Sequence, residues 1–312
     1  MSNNSTTLNL ADETPYGYTP TLWIAIMFVV LFSISTLAQL IQGLYARHWF
    51  ILPTIVLGGC GEILGWAARW WSNRNPNNGE PFTIQIATLI ISPTPILGAH
   101  FIIFGRLVQI LGPQYSRFRP RLYSRIFLSC DVASLVVQAV GGGIASSAVT
   151  TQESRLGSNI MLAGIAIQFI ILICFMSIAS EFLYRFNRNL PMRFESGNKI
   201  GYLDTRRRIG LLAVFFATSC LFIRAIYRLV ELGDGWQGKV IHTQWLFDLF
   251  DSTMVTLVMY TWNFVPSSWI LAEPSLESRQ LQQIEMHRNG GSSDNTSNAS
   301  NKPSNLVFYQ RN

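Results

Sequence analysis

Seven apolar runs constrain this chain more than any other feature: Thr21 to Gly43, Phe50 to Trp70, Phe82 to Leu111, Leu122 to Val149, Asn159 to Tyr184, Ile209 to Val230 and Ile241 to Val265. A helix needs about 20 consecutive, mostly apolar residues to cross a bilayer, and each run meets that length. Lipid offers the backbone no hydrogen bonds, so each run is expected to be helical, and the short connections suit one bundle. The predicted fold class is all-α: a polytopic membrane protein with seven transmembrane helices. Composition agrees, since 49% of the residues are hydrophobic, 13% are charged and the mean hydropathy is +0.27; an ordinary soluble domain is more polar.

The expected organisation is an amino-terminal segment (1–20), a membrane domain (21–271) and a tail (272–312). The tail contains "GGSSDNTSNASNKPSN", a polar, low-complexity stretch that reads as disordered. The first run follows an acidic, Asn- and Thr-rich stretch without a basic n-region, and it exceeds a signal h-region in length. It reads as the first membrane helix and not as a cleaved peptide.

Cytoplasmic loops retain Lys and Arg. The odd-numbered loops and the tail hold fifteen of these residues, including Arg117, Arg119, Arg121 and Arg206 to Arg208, whereas the amino terminus and the even-numbered loops hold three, Arg74, Arg155 and Lys239. That bias predicts an exterior amino terminus and a cytoplasmic tail. The overlapping sequons at Asn3 and Asn4 fit exterior glycosylation, although Asn295 and Asn298 in the tail are sequons too. The net charge of +6 is thus a topology signal. No nucleic-acid partner is expected, because no reading motif surrounds the basic residues. Cys60, Cys130, Cys174 and Cys220 fall singly in four runs without a CxxC pair, which suggests buried apolar thiols. Trp23, Trp49, Trp70, Trp71, Trp236, Trp245 and Trp269 lie near run ends, as interfacial anchors do.

Charges inside the runs carry more information. An ionisable side chain at the bilayer centre costs about 2.5 to 3.5 kcal/mol on insertion scales, so it pairs or faces a watery cavity. Run two has Glu62 and Arg69, seven apart on one face. Run four has Asp131 and Gln138, followed by Gly141, Gly142 and Gly143. Run six carries Arg224, Arg228 and Glu231 as one stripe, and run seven carries Asp248 and Asp251. With the predicted topology, Glu62, Arg69, Arg224, Arg228, Glu231, Asp248 and Asp251 all fall in the exterior half of the bundle, where one cavity would gather them. Two accounts stay open: structural ion pairs or interfacial snorkelling on one side, a substrate or proton site on the other. Pro93 and Pro95 remove backbone donors from run three and predict a kink, and the glycine triplet predicts close helix packing or a hinge.

Catalytic motifs are missing: the sequence has no GxxxxGK[ST], HExxH or GxSxG. His48, His100, His242 and His287 are scattered, and run seven has no lysine for a retinal Schiff base. An enzyme, a metal centre and a cofactor are therefore not expected.

"GEILGWAAR", "SPTPILGAHFIIFGR", "IFLSCDVASLVVQAVGGG", "IRAIYRLVE" and "FDLFD", in this order, resemble the fungal lipid-translocating exporter family, seven-helix proteins associated with resistance to amino-sterol toxicity. The resemblance covers about Tyr16 to Leu271. It maps the family's charged positions onto Glu62, Arg69, Asp131, Gln138, Arg224, Arg228, Glu231 and Asp251, and its helix-three Pro and GR onto Pro93 or Pro95 and Arg106. Run seven departs: members usually read like "EWFFYVFD", and here Gln244 replaces the Glu and Asp248 the Tyr. The later "HPG" is "VPS" at Val265 to Ser267. The resemblance implies a plasma-membrane exporter of sphingoid long-chain bases or related toxic amphiphiles. The partners would be a lipid or amphiphilic small molecule and the bilayer; the sequence leaves the oligomeric state open. A seven-helix receptor signalling through "YLDTRRR" and the tail is the alternative, and a regulator of other transporters is a third.

Overall fold

Proline sets where the third apolar run breaks. In the computed structural model, helix α3 (Gly79–Ile91) ends at Ser92 and helix α4 (Pro93–Leu111) begins at once with Pro93. Ser92 keeps helical dihedrals, φ −55° and ψ −40°, so the path continues while the hydrogen-bond ladder does not. Pro93 and Pro95 cannot donate to the carbonyls of Leu89 and Ile91, four residues earlier in each case. Restarting a helix with Pro in its first turn costs little, because those N–H groups have no intrahelical partner there.

The structure describes residues 20–74, 79–148, 150–188, 190–192, 204–234, 240 and 243–272, and among these every regular element is helical. Besides α3 and α4 they are α1 (Leu22–Tyr45), α2 (Leu57–Arg74), α5 (Pro120–Ser147), α6 (Thr151–Asn187), α7 (Thr205–Gly233) and the short α8 (Gln244–Phe247), α9 (Met254–Phe264) and α10 (Ser267–Leu271). Six candidate spans are long and apolar enough to cross a membrane: Leu22–Tyr45, Trp49–Arg74, Gly79–Leu111, Pro120–Ser147, Gln152–Asn187 and Thr205–Gly233. The seventh run differs from a plain helix. It is helical from Gln244 to Phe264, but a π-turn at Asp248–Thr253 separates α8 from α9. A second π-turn, Leu52–Val56, precedes α2 where Pro53 disturbs the ladder.

The chain divides into Met1–Leu271 and Ala272–Asn312. The sequons Asn3 and Asn4, Trp236, most of the basic loop before α7, and the tail beyond Ala272 lie outside the described residues. Helix α6 starts earlier than its apolar run suggests. Thr150 Oγ1 accepts from Glu153 N–H and the Glu153 carboxylate accepts from Thr150 N–H, a capping box that starts the helix two turns before Asn159.

Polar contacts and small residues tie the helices together. α5 lies along α6, and a Cβ on Gly141 would run into the backbone of Gly157 and Met161; one on Gly157 would strike Ala145. α5 itself runs unbroken through the glycine triplet. α1 and α9 are joined by Gln39, which donates to Asn263 Oδ1 at 2.6 Å, and by Asn263, which donates to Ser35 at 2.6 Å. His100, fully buried on α4, donates from Nδ1 to Ile96 O at 2.8 Å and accepts from Trp262 Nε1 at 3.2 Å, so both ring nitrogens are used in packing α4 against α9. Phe101, Phe104, Phe127, Phe175 and Phe182 fill the space between α4, α5 and α6 largely edge to face.

Outside, the bundle is apolar. Ile34, Leu37 and Ile41 on α1, Val136 and Val140 on α5, Ile170 and Ile173 on α6, and Leu212 and Phe216 on α7 are exposed, as expected of an integral membrane protein whose solvent on those faces is lipid. Cys60, Cys130 and Cys174 share this outer surface, contrary to the expected burial, and only Cys220 is interior. A thiol is apolar enough to face lipid, so placement there carries no desolvation cost.

Gly141→Leu should lower the unfolding free energy by about 3 kcal/mol, the upper part of the overpacking range, because backbone and not side chain would have to yield. The melting temperature of the purified protein in detergent tests this against Gly142→Ala, whose Cβ would meet only Met161 Sδ at 3.7 Å and should melt like the parent. Equal melting of Gly141→Leu would contradict the α5–α6 contact.

Candidate functional site

The break at Pro93 reaches the site directly. Leu89 O, deprived of the Pro93 N–H, accepts a hydrogen bond of 2.5 Å from an Arg224 guanidinium nitrogen on α7. Arg224 thereby does what a backbone donor would do in an unbroken helix, and its Nε lies 2.9 Å from Asp251 Oδ1. One turn along α7, Arg228 forms a two-pronged pair with the same carboxylate, Nε to Oδ1 at 2.8 Å and Nη2 to Oδ2 at 2.7 Å. Its Nη1 donates to Glu231 Oε2 at 2.8 Å, and Tyr227 Oη donates to Glu231 Oε1 at 3.1 Å. Arg224, Arg228, Glu231 and Asp251 are all less than a tenth exposed. Two guanidinium charges meet two carboxylates here, and the two-pronged geometry is the strong form of that contact.

Run seven supplies Asp251 from its π-turn. Asp248 O accepts from Thr253 Oγ1 at 2.8 Å, five residues on, so a side chain fills a gap in the widened ladder. Phe247, just before the turn, sits between two cations: Arg69 Cζ is 5.0 Å and Arg228 Cζ 5.2 Å from its ring centroid. Arg69 also lies 5.5 Å from the Trp66 ring, and its charge acts on Asp248. Asp248 is partly exposed, whereas Arg69 is buried at 1% exposure and does not snorkel.

Glu62 faces the cluster from α2. It is 1% exposed and within electrostatic reach of Asp251, Arg224 and Arg228, yet neither of its oxygens has a hydrogen-bond donor. Asp131 on α5 is fully buried and lies beside the Gln168 amide, in a different polar row. In that row Gln138 donates to Gln168 at 2.9 Å and Gln168 donates to Thr94 at 3.1 Å, joining α5, α6 and α4. A cavity of about 30 Å³, lined by Gln138, Gln168, Pro93, Arg224 and Arg228 among others, lies between the row and the cluster.

The seven residues expected in one cavity are thus arranged as a packed ion-pair cluster (Arg224, Arg228, Glu231, Asp251), Arg69 and Asp248 beside it with Phe247 between Arg69 and Arg228, and a carboxyl without a donor (Glu62); Asp131 and Gln138 lie in the neighbouring row. Pro93 lines the small cavity; Gly142 and Gly143 face a separate groove on the far side of Gln138. Tyr227, Gln168, Thr94 and Phe247 were missed by sequence reasoning. Gln168 had a legible signal, as a lone amide within "GIAIQFIILI", and Tyr227 sits one turn before Glu231. Arg106 lies elsewhere, its Cζ 4.3 Å from the Phe50 ring. Outside the spans, burial and then the Arg106 charge hold the His48 imidazole below its ordinary range. Among the described residues no group of three or more His, Cys, Asp or Glu is placed to hold a metal ion.

A family model described as "RTA1 like protein" matches residues 55–274. The sphingoid long-chain base transporter RSB1 of Saccharomyces cerevisiae is 30% identical over 274 residues, 78% of this chain and 71% of that protein. Protoporphyrin uptake protein 1 of the same yeast is 30% identical over 281 residues, 78% of this chain and 89% of its own length, and its protein RTA1 is 28% identical over 272 residues, 78% and 82%. No solved structure matches.

Asp251→Asn should cost about 3 to 5 kcal/mol of stability, because it strands two buried guanidinium groups. Asp248→Asn, on a partly exposed carboxyl, should cost less than about 1 kcal/mol. Chemical or thermal unfolding of the two purified variants gives the comparison; equal losses would mean that Asp251 is not the hub of the cluster.

Proposed function

The chain belongs to the RTA1-like family, the fungal lipid-translocating exporters, and on that premise we propose that it carries lipid-like amphiphiles across a membrane, with sphingoid long-chain bases as its substrate. The observation that carries the reading is Glu62: a fully buried carboxyl with no donor, beside a cluster whose own charges are matched. An incoming ammonium supplies the missing donor. Arg224 and Arg228 hold Asp251 and Glu231, so Glu62 is the acid left to exchange partners, and Arg69 with Asp248 extends the polar path toward the start of run seven. The substrate's chain stays in an apolar surrounding throughout, and only its head is desolvated, at a cost that the new ion pair offsets.

Several further features belong to this reading. The chain crosses the plasma membrane seven times, with run seven as the last span despite its π-turn, the amino terminus outside and glycosylated at Asn3 or Asn4, and the tail inside. It acts as a transporter and in resistance to toxic amphiphiles, and catalyses no reaction. The relatives' names fit amphiphiles that differ in head and shape, a sphingoid base and protoporphyrin, which favours a site defined by charge and an apolar path. Of "YLDTRRR", Asp204 caps α7 and Thr205 to Arg208 form its first turn, while most of the basic loop before it and the tail beyond Ala272 lie outside the described residues; no structural observation favours a signalling role.

Efflux of a labelled sphingoid base from cells with the intact chain, Glu62→Gln or an empty vector, at matched surface levels, tests the proposal. The intact chain should speed efflux and Glu62→Gln should fall to the vector rate. No gain from the intact chain would reject sphingoid bases as the substrate, and full activity of Glu62→Gln would remove Glu62 from the path.

A further inference from the structure

A groove of about 500 Å³ lies between α3, α5 and α6, within the range of about 300 to 1,000 Å³ typical of small-molecule sites. Its walls are mostly apolar, with Ile86, Ile90 and Ile91 from α3, Met161 from α6, and Ala139 and Gly143 from α5, while the hydroxyl residues Thr83, Ser146 and Ser154 line it near the ends of those helices. The helix surfaces at Ala87, Ala139 and Gly143 are exposed, so the groove opens to the side of the bundle, where the surrounding medium is lipid. The small residues of α5 create the space. A Cβ on Gly143 would meet nothing within 4 Å, whereas one on Gly141, two residues earlier, would strike α6.

Of the polar side chains that line the groove, only Gln138 is buried. Gln138 is 2% exposed, and its Nε2 is committed to Gln168, but its Oε1 is buried without any partner. A buried acceptor left unpaired is costly, and a ligand hydroxyl would satisfy it. Gln138 and Ile90 also line the small cavity that ends at Arg224 and Arg228, so the groove and the charged cluster share a wall. That cavity, about 30 Å³, has room for one hydroxyl-sized group and not for a large head.

We infer that this groove is a lateral binding site for the alkyl chain of a single-chain, hydroxylated amphiphile whose head hydroxyl donates to Gln138 Oε1. The inference rests on the amphiphile-carrying reading above and deepens it: the chain lies between α3, α5 and α6, and the head is delivered beside the arginine cluster. The unmatched acceptor requires a donor, the apolar walls require a chain, and the narrow polar end limits the head.

Photolabelling tests this without relying on transport. The full chain in nanodiscs is irradiated with a long-chain amino-alcohol carrying a diazirine on its alkyl chain, and labelled peptides are identified by mass spectrometry. Label should concentrate in 82–91 and 139–146. Gly143→Leu, which fills the groove where the fold leaves space, should reduce that label by about tenfold with an unchanged melting temperature. Gln138→Leu should weaken labelling by the hydroxylated probe and leave its O-methyl ether unaffected. Label outside the groove, equal labelling of Gly143→Leu, or equally strong labelling by a two-chain phospholipid would overturn the inference. Efflux from the same cells separates the two readings. Export by the intact chain with groove labelling unaltered in Gly143→Leu rejects the groove alone, and groove labelling that Gly143→Leu abolishes, without export, rejects the transport reading alone.

Discussion

The contact between Arg224 and the Leu89 carbonyl is the interaction on which the rest of the site depends. In lipid a freed carbonyl has no water to turn to, and Pro93 frees this one in the middle of a span. Closing it with an arginine brings a charge into the bundle, the charge requires a carboxylate, and Asp251 answers it from run seven. Arg228 and Glu231 then complete a group in which each charge has a counterpart. The helix break and the ion-pair cluster are therefore one structure: neither is stable in an apolar surrounding without the other.

Such a cluster holds three segments, α3, α7 and run seven, in register without an apolar driving force between them. Helices in a membrane gain little from burying leucine against leucine, since lipid is equally apolar, so packing of small residues and polar contacts must do the work. Gly141 and Gly157 bring α5 and α6 into backbone contact, while Gln39, Asn263, His100 and Trp262 tie run seven to α1 and α4. Against this fixed frame Glu62 and Gln138 stand out, because they are buried polar groups whose capacity is unspent.

Much of this was legible in the sequence, for identifiable reasons. Apolar run length reports span positions directly, because the bilayer demands it, and the charges of "IRAIYRLVE" and "FDLFD" announce themselves by their cost. Their pairing was less visible. The assignment of Asp251 and not Asp248 to the arginines depends on a π-turn, which has no periodic signature in sequence, and the start of α6 at Thr151 depends on a cap outside the apolar run. The groove beside Gly143 was invisible for a related reason: three consecutive glycines look alike in sequence, yet Gly141 is closed by α6 and Gly143 faces open space. The burial of Arg69 likewise follows from Trp66 and Phe247, two aromatic faces that an alternative of snorkelling to the interface did not take into account.

The π-turn of run seven also fixes a screw phase. One residue added to a helical turn rotates everything beyond it by about 100°. Asp251 faces the arginines on one side of that extra residue, and Trp262 meets His100 on the other, so both ends of the segment are pinned. The number of residues between them acts as a gauge: side chains along Met254–Phe264 can be exchanged within their volumes, but a single insertion or deletion would turn either the carboxylate or the indole toward lipid. Sequence change in this stretch is thus confined to substitution, and its length is as much a part of the site as any side chain it carries.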